Sequence, residues 1–435
     1  MTDEMLEKME FEETGVTRSE RWKVMWASVA GYAMDGLDVL ILSFAMAAIV
    51  KEFGLTLGEG GLIATYTLIG TVLGGYLFGI LADYIGRVHT FSLSIILFSL
   101  FTGACAFADT VTHLEIFRFL AGLGLGGEYG IGMTLVTETW PAAKRARATA
   151  GVAMGWQIGA VLSALLAAWV LPAYGWRGLF LVGVLPALFA AWSRKSLKEP
   201  PMWIKRQKLK KELARKHAAG ELLSEEETEL WKETQRFSLF HLFDSPSKTV
   251  TTLALTFMTS VQNFGYYGIM VWLPMILLKE HGLTTGSMAG WMIVTVLGMI
   301  AGIYVFGWLC DRIGRKKPYL IFYLGSAVMV YVYANLGTPT ALLFGGAALG
   351  FFCNGMMAGY GTLLSENYTT DARSTAQNFI FNTGRAVGGL APWFIGMMAQ
   401  QYGFSGAFLI LCGIYAAAVV NVLFFIHDTK GRALV

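Results

Sequence analysis

The chain has 435 residues, of which 55% are hydrophobic and only 14% charged. Soluble domains carry about 25% charged residues, so a mostly wetted surface is excluded. A net charge of +3 is too mild for a nucleic-acid binder, and the four cysteines (Cys105, Cys310, Cys353 and Cys412) lie singly in apolar runs, without the spacing of a zinc site or disulfide frame.

The first fifteen residues are acidic and lack a basic stretch leading into an apolar core, so the first apolar segment is expected to be a retained anchor. A helix that crosses a bilayer needs about 20 mostly apolar residues. On that measure the sequence predicts crossings at 22–50, 60–82, 90–108, 113–138, 149–171 and 177–193. A second set follows at 249–278, 287–310, 318–336, 340–365, 374–399 and 404–426. The predicted organisation is an N-terminal six-helix bundle over 1–193, a polar central segment over 194–248, and a C-terminal six-helix bundle over 249–435. Within the central segment, Ser224 followed three residues later by Glu227 predicts a capped helix.

Lysine and arginine placement predicts orientation. With the N-terminus inside, Lys51, Arg177 and Lys279 lie outside and Arg118 and Arg385 lie within crossings, leaving 28 of the 33 basic residues on the inside. Both termini are therefore expected in the cytoplasm.

The two halves repeat each other. Gly79–Arg87 (GILADYIGR) recurs as Gly307–Arg315 (GWLCDRIGR), Thr134–Glu138 (TLVTE) as Thr362–Glu366 (TLLSE), and Arg145 as Arg373, each 228 residues later. Three matches in one register indicate a duplicated six-helix unit, the arrangement by which two bundles rock around a central site.

With these features the chain resembles the major facilitator superfamily over its whole length. The loop between the second and third crossings is that superfamily's most specific signature. The second copy (Asp311, Arg312, Arg315, Lys316) is the fuller one, while Tyr84 and Val88 replace usual basic residues in the first and are expected to weaken its latch. Asp35–Asp38 (DGLD), Arg118–Glu128 (RFLAGLGLGGE), Trp176-Arg177, Glu199-Pro200-Pro201 and Asn378–Arg385 (NFIFNTGR) resemble the proton-coupled organic-acid symporters that include sialate, lactate and aromatic-acid carriers. The resemblance implies an all-α membrane protein: twelve transmembrane helices in two pseudo-symmetric bundles, a monomer in a bacterial inner membrane. It further implies a transporter, not an enzyme, with no cofactor or metal, whose partners are a small organic acid, protons and the bilayer. Gly155–Ala160 (GWQIGA) contains no proline, where drug antiporters are Gly-Pro-rich, and this lowers the alternative of an efflux antiporter for amphipathic compounds.

A charge inside a crossing costs at least about 2.5 kcal/mol, so each one needs a reason. Asp35 and Asp38 share a face of the first crossing, and two such carboxylates do not both ionise readily at low dielectric. They are the expected proton-coupling pair, with Arg118 as counter-ion and Glu128 as a further candidate; the alternative is a permanent structural ion pair. Asn263 stands in register with Asp35 in the second half, which concentrates the titratable groups in the first. Arg385 has no acid within its own crossing and shares a polar stretch with Asn378 and Asn382. Its planar fork suits a carboxylate, which makes it the expected substrate anchor unless an acid on another helix claims it. Gln157, Gln262, Asn263, Tyr266 and Tyr267 are expected around it, with Trp156, Asn354 and Tyr360 as supporting groups. Asp83, Arg87, Asp311 and Arg315 are expected to form cytoplasmic locks between helices. The glycines of 122–127 fit a dinucleotide-binding pattern, but inside an apolar helix they read as close-packing residues. The absence of a GxxxxGK[ST] pattern excludes an ATP motor in the chain itself.

Overall fold

The computed structural model describes residues 3–55, 57–273 and 285–434. A short polar helix α1 (Asp3–Thr14) precedes α2 (Arg18–Phe53), whose start is fixed by a capping box between Thr17 and Glu20 and whose end is closed by Gly54 in the left-handed region. There follow α3 (Leu57–Ile85), α4 (Arg87–Ala104), α5 (Val111–Leu125), α6 (Glu128–Thr139), α7 (Arg145–Val182) and α8 (Pro186–Ser196). The central segment forms α9 (Pro201–Ala218) and α10 (Glu225–Gln235), and the Ser224–Glu227 capping box is present. The second half comprises α11 (Pro246–Met270), α12 (Thr285–Ile313), α13 (Lys316–Ala334), α14 (Pro339–Gly355), α15 (Met357–Asn367), α16 (Arg373–Gly388) and α17 (Ala391–Phe425).

Eight helical stretches among the described residues are long and apolar enough to span a membrane. The stretch from Ala142 contains the fifth crossing and turns at Gly175 (φ 64°) into the sixth, Trp176–Ser196. The seventh (α11), the ninth (α13) and the eleventh (α16 running into α17) complete the set of twelve and are shorter, more polar or broken. The end of the seventh crossing expected at 274–278, and Lys279 beyond it, lie outside the described residues.

Four predicted crossings differ in detail. The fourth breaks between α5 and α6 at Gly126-Gly127, and the tenth between α14 and α15 at Met356. The sixth breaks between Val182 and Pro186. The eleventh breaks after Gly388, because Pro392 offers no amide proton to the preceding turn. An apolar run looks alike on either side of such breaks, so hydropathy alone does not reveal them.

The duplication is visible in three dimensions. Gly86 (φ 111°) and Gly314 (φ 98°) begin the third and ninth crossings; Gly175 (φ 64°) and Gly403 (φ 69°) turn the fifth into the sixth and the eleventh into the twelfth. Each pair keeps the 228-residue register. Within the bundles α3 lies on α5 and α12 on α14, and between them α3 meets α16 while α7 meets α12. The α3–α5 contact is backbone on backbone: a Cβ on Gly74 would stand 1.9 Å from the Leu123 carbonyl oxygen. Its counterpart on Gly302 would stand 2.1 Å from that of Phe351. Small residues at these places let the helices approach, as membrane packing requires.

The described ends of the chain lie on one face of the molecule, the terminus-bearing face, where Glu10 pairs with Lys144 and Arg145 donates to the carbonyl of Arg432.

Candidate functional site

Halfway through the molecule, between the bundles, lies a small cavity of about 30 Å³ lined by Tyr32, Trp156, Gln157, Gln262, Tyr267 and Arg385, among others. It holds little more than a water or two. A second cavity of about 130 Å³ shares Trp156, Tyr267 and Arg385 and runs toward the face opposite the termini, past Val39, Leu42, Thr67 and Arg118. Together they form a central site whose deepest cation is Arg385.

Arg385 is brought there by α16, and Asp35 by the middle of α2. Arg385 Nη2 lies 3.3 Å from Asp35 Oδ2, and both residues are buried. The guanidinium also sits over the ring faces of Trp156, at 5.4 Å, and Phe381, at 5.8 Å. No acid lies within Arg385's own crossing, and the alternative left open, an acid from another helix, is the one found: Asp35 comes from the other bundle, which inspection of the arginine's own helix could not reveal.

Asp38 takes a different partner. Its Oδ2 lies 2.9 Å from Arg118 Nη1, its Oδ1 accepts from Thr102, and Arg118 donates through Nε to Thr67 at 3.2 Å. The two aspartates, three residues apart, are therefore not a carboxylate pair sharing one site; each has its own arginine. Asp38–Arg118 lies wholly within the first bundle, whereas Asp35–Arg385 bridges the two. Glu128, at the first turn of α6, is fully buried, accepts a hydrogen bond from Ser94 and has no ion-pair partner among the described residues.

Gln157, Gln262, Asn263, Tyr266 and Tyr267 all line the central cavity. Gln262 donates to Asn354 at 3.2 Å, while Asn263 donates back to the Thr259 carbonyl of its own helix. Asn378 and Asn382 do not line it. They lie at the seam with the first bundle, where Asn382 donates to the Gly126 carbonyl at 3.2 Å and a Cβ on Gly75 would strike its amide. Tyr360 is also elsewhere, donating to the Met258 carbonyl.

On the terminus-bearing face the bundles are closed by two copies of one ion network. Arg87 lies 3.2 Å from Asp83 and 3.0 Å from Glu138, which also takes Arg373 at 2.6 Å. In the second copy Arg315 lies 3.3 Å from Asp311 and 2.8 Å from Glu366, which also takes Arg145 at 3.1 Å. Asp83 accepts the backbone amides of Ser374 (3.1 Å) and Thr375 (2.8 Å) at the start of α16. Asp311 accepts those of Ala146 and Arg147 (both 3.2 Å) at the start of α7. Each carboxylate thus caps the positive end of a helix from the opposite bundle. Thr137 and its register partner Ser365 meet hydroxyl to hydroxyl at 2.7 Å, on the pseudo-two-fold axis itself. The first copy is as complete as the second despite Tyr84 and Val88; Tyr84 instead accepts from the Ser238 amide. Glu138, Glu366, Arg145 and Arg373 were not expected among the locks, although the 228-residue register already marked all four.

Helix α9 lies across this closed face. Trp203 and Gln207 donate to the Asp83 carbonyl of the first bundle, at 3.1 and 3.3 Å. Arg206 and Lys210 pair with Asp371 of the second, at 2.6 and 2.8 Å.

A model of the Major Facilitator Superfamily matches residues 29–303 and 255–434. The chain is 45% identical over 421 residues to a Haemophilus influenzae protein named for metabolite transport, covering 97% of this chain and 100% of that one. It is 32% identical to a probable 4-methylmuconolactone transporter of Cupriavidus pinatubonensis, covering 95% of this chain and 92% of that one. It is 30% identical to a niacin transporter of Acinetobacter baylyi, covering 95% of each. Among solved structures, the proton:xylose symporter XylE superposes with a TM-score of 0.78 over 96% of this chain and 98% of that one, at 18% identity.

Proposed function

Since the chain belongs to the Major Facilitator Superfamily and is a multi-pass membrane transporter rather than an enzyme, we propose that it imports a small organic acid together with a proton. The observation that carries this reading is the Asp35–Arg385 ion pair, whose arginine lines the central cavity, joining the two bundles at 3.3 Å.

A buried arginine already neutralised by an aspartate has no reason to bind a second carboxylate. Protonating Asp35 removes its counter-ion, and the substrate's carboxylate then takes the vacated place on the planar guanidinium. Proton and anion thereby favour each other's binding, as two ligands of one state must. Carried together they are electrically neutral, which avoids about 2.3 kcal/mol per charge per 100 mV of membrane potential. Trp156, Phe381, Tyr266 and Tyr267 give the cavity flat apolar walls beside the cation, suited to a planar or conjugated acid; the names of the muconolactone and niacin relatives support that class. Asp38–Arg118 supports the first bundle next to this site, and Glu128 is a second candidate for proton uptake.

In this reading the terminus-bearing face is cytoplasmic, its ion network is the inner gate, and the structure is the form closed toward the cytoplasm. Residues 1–193 and 249–435 are the rocking bundles, and 194–248 is the cytoplasmic link. Alternation to the inward form breaks the contacts of Asp83 and Asp311 with the opposite bundles.

The test is direct binding of candidate acids (sialate, lactate, benzoate-like and nicotinate-like) to purified protein. Arg385→Ala removes charge-assisted hydrogen bonds worth on the order of 1.5–3 kcal/mol, so affinity for the carried acid is expected to fall about ten- to a hundredfold. Wild-type affinity in folded Arg385→Ala protein would refute the anchor.

A further inference from the structure

A separate cavity of about 420 Å³ opens on the terminus-bearing face, between the first turns of α2, the end of α8 and the first turns of α9. Its size is that of a small-molecule site, about 300–1,000 Å³. Its floor is apolar: Val16, Val24 and Leu197 are buried there, with Pro200, Pro201 and Ile204 beside them. Its rim carries Lys23, Lys198, Lys205 and Lys208, all exposed.

The two acids in the lining are already engaged. Glu20 pairs with Lys198 at 2.8 Å and caps α2 through Thr17. Glu199 accepts the backbone amides of Arg87, Val88 and His89 and the His89 ring. Lys23, Lys205 and Lys208 have no ion-pair partner among the described residues, so the rim holds three uncompensated cations over an apolar floor.

The depth of the cavity narrows its occupant. It lies where the first crossing begins and the sixth ends, and exposed Trp26 and Trp192 on those same helix ends mark the membrane–water boundary. We infer that this cavity binds the phosphodiester headgroup of an anionic phospholipid from the leaflet on the terminus-bearing side, the lysines holding the phosphate and the apolar floor receiving the glycerol and upper acyl carbons. A free phosphate would satisfy the lysines but leave the floor uncovered. Because α9 forms one wall, a bound lipid would tie the first bundle to the helix that spans the closed face.

The experiment is native mass spectrometry of the purified full chain, delipidated and then titrated with phosphatidylglycerol or phosphatidylcholine of matched acyl chains. Wild type is expected to retain one phosphatidylglycerol in preference to phosphatidylcholine, by about tenfold or more. The triple variant Lys23→Gln, Lys205→Gln, Lys208→Gln is expected to lose that preference; its exposed positions carry no packing, and an unchanged melting temperature checks that it is folded. A control neutralising Lys211, Lys232 and Lys317, outside the cavity, is expected to keep it. Equal retention of the two lipids by wild type, an undiminished preference in the triple variant, or a loss in the control as large would overturn the inference. Displacement of the lipid by inorganic phosphate would overturn it too, in favour of a soluble phosphate site.

Discussion

Asp35 and Asp38 are the same residue type on the same helix face, yet their surroundings differ enough that substitution separates them. Asp35 meets Arg385 across the two bundles, where the arginine lines both central cavities, and Asp38 meets Arg118 within the first bundle, where Asp38 also accepts from Thr102. Asp35→Asn mimics the protonated state, so the variant is expected to bind the acid with affinity that no longer changes with pH. In wild type affinity should rise as pH falls, because the protonated form is the one that frees Arg385. Isothermal titration across a pH series checks both; a wild-type slope retained in Asp35→Asn would move the proton site elsewhere, first to Glu128. Asp38→Asn strands a buried arginine that lines only the second cavity, whereas Arg385 lines both and keeps the ring faces of Trp156 and Phe381; breaking a buried pair of this kind costs about 3–5 kcal/mol. Its melting temperature is expected to fall well below that of Asp35→Asn. Equal loss in the two variants would contradict the division of roles.

At the scale of helices, two devices decide how the bundles are built and joined. The α3–α5 and α12–α14 contacts rest on glycine against a backbone carbonyl, which has no rotamer with which to yield. Gly74→Ala or Gly302→Ala must push the helices apart, and overpacking of this kind costs about 1–3 kcal/mol. Each variant is expected to unfold earlier in a thermal scan, while Gly54→Asn, at an open helix end with φ 64°, is expected to be nearly neutral. The second device is the clasp of α9. Burial pushes the Asp371 carboxyl up, but Arg206 and Lys210 outweigh it and hold the group below the ordinary carboxylate range. A depressed carboxyl contributes stability above its unfolded value and loses it as pH falls through the lower folded one. The clasp should therefore persist through neutral and mildly acidic conditions. Asp371→Asn is expected to speed amide hydrogen exchange along α9 at neutral pH without unfolding either bundle. Unchanged exchange would show that Trp203 and Gln207 alone suffice.

At the scale of the molecule, the pseudo-two-fold axis passes between Thr137 and Ser365, whose hydroxyls touch at 2.7 Å on the closed face. Any inward opening must separate them. In a background with the four native cysteines replaced, oxidation of Thr137→Cys with Ser365→Cys is expected to join the bundles and stop substrate exchange, and a reductant to restore it. Exchange that continues in the oxidised form would show that the bundles do not part along this seam.

The sequence by itself determined what depends on composition and register. Twelve apolar runs dictate helices, because no other regular structure without a closed barrel satisfies its backbone polar groups in lipid. The 228-residue repeat dictates two like bundles and already marked Asp83, Arg87, Asp311 and Arg315 as a set. It also held Glu138 and Glu366, which complete the network, since a repeated charge inside an apolar helix is costly twice over. Helix breaks at Gly126-Gly127, Met356 and Gly388–Leu390 escaped that reading, because hydropathy does not change across them. What only the tertiary structure decided is partnership between distant residues. Arg385 looked unneutralised along its own helix, and Asp35 is 350 positions away. Asn378 and Asn382 look like neighbours of Arg385 in sequence, yet they face glycines at the seam while Arg385 faces the cavity. An ion pair or cavity wall is assembled from several helices, and which faces meet is set by how closely the small residues let them approach.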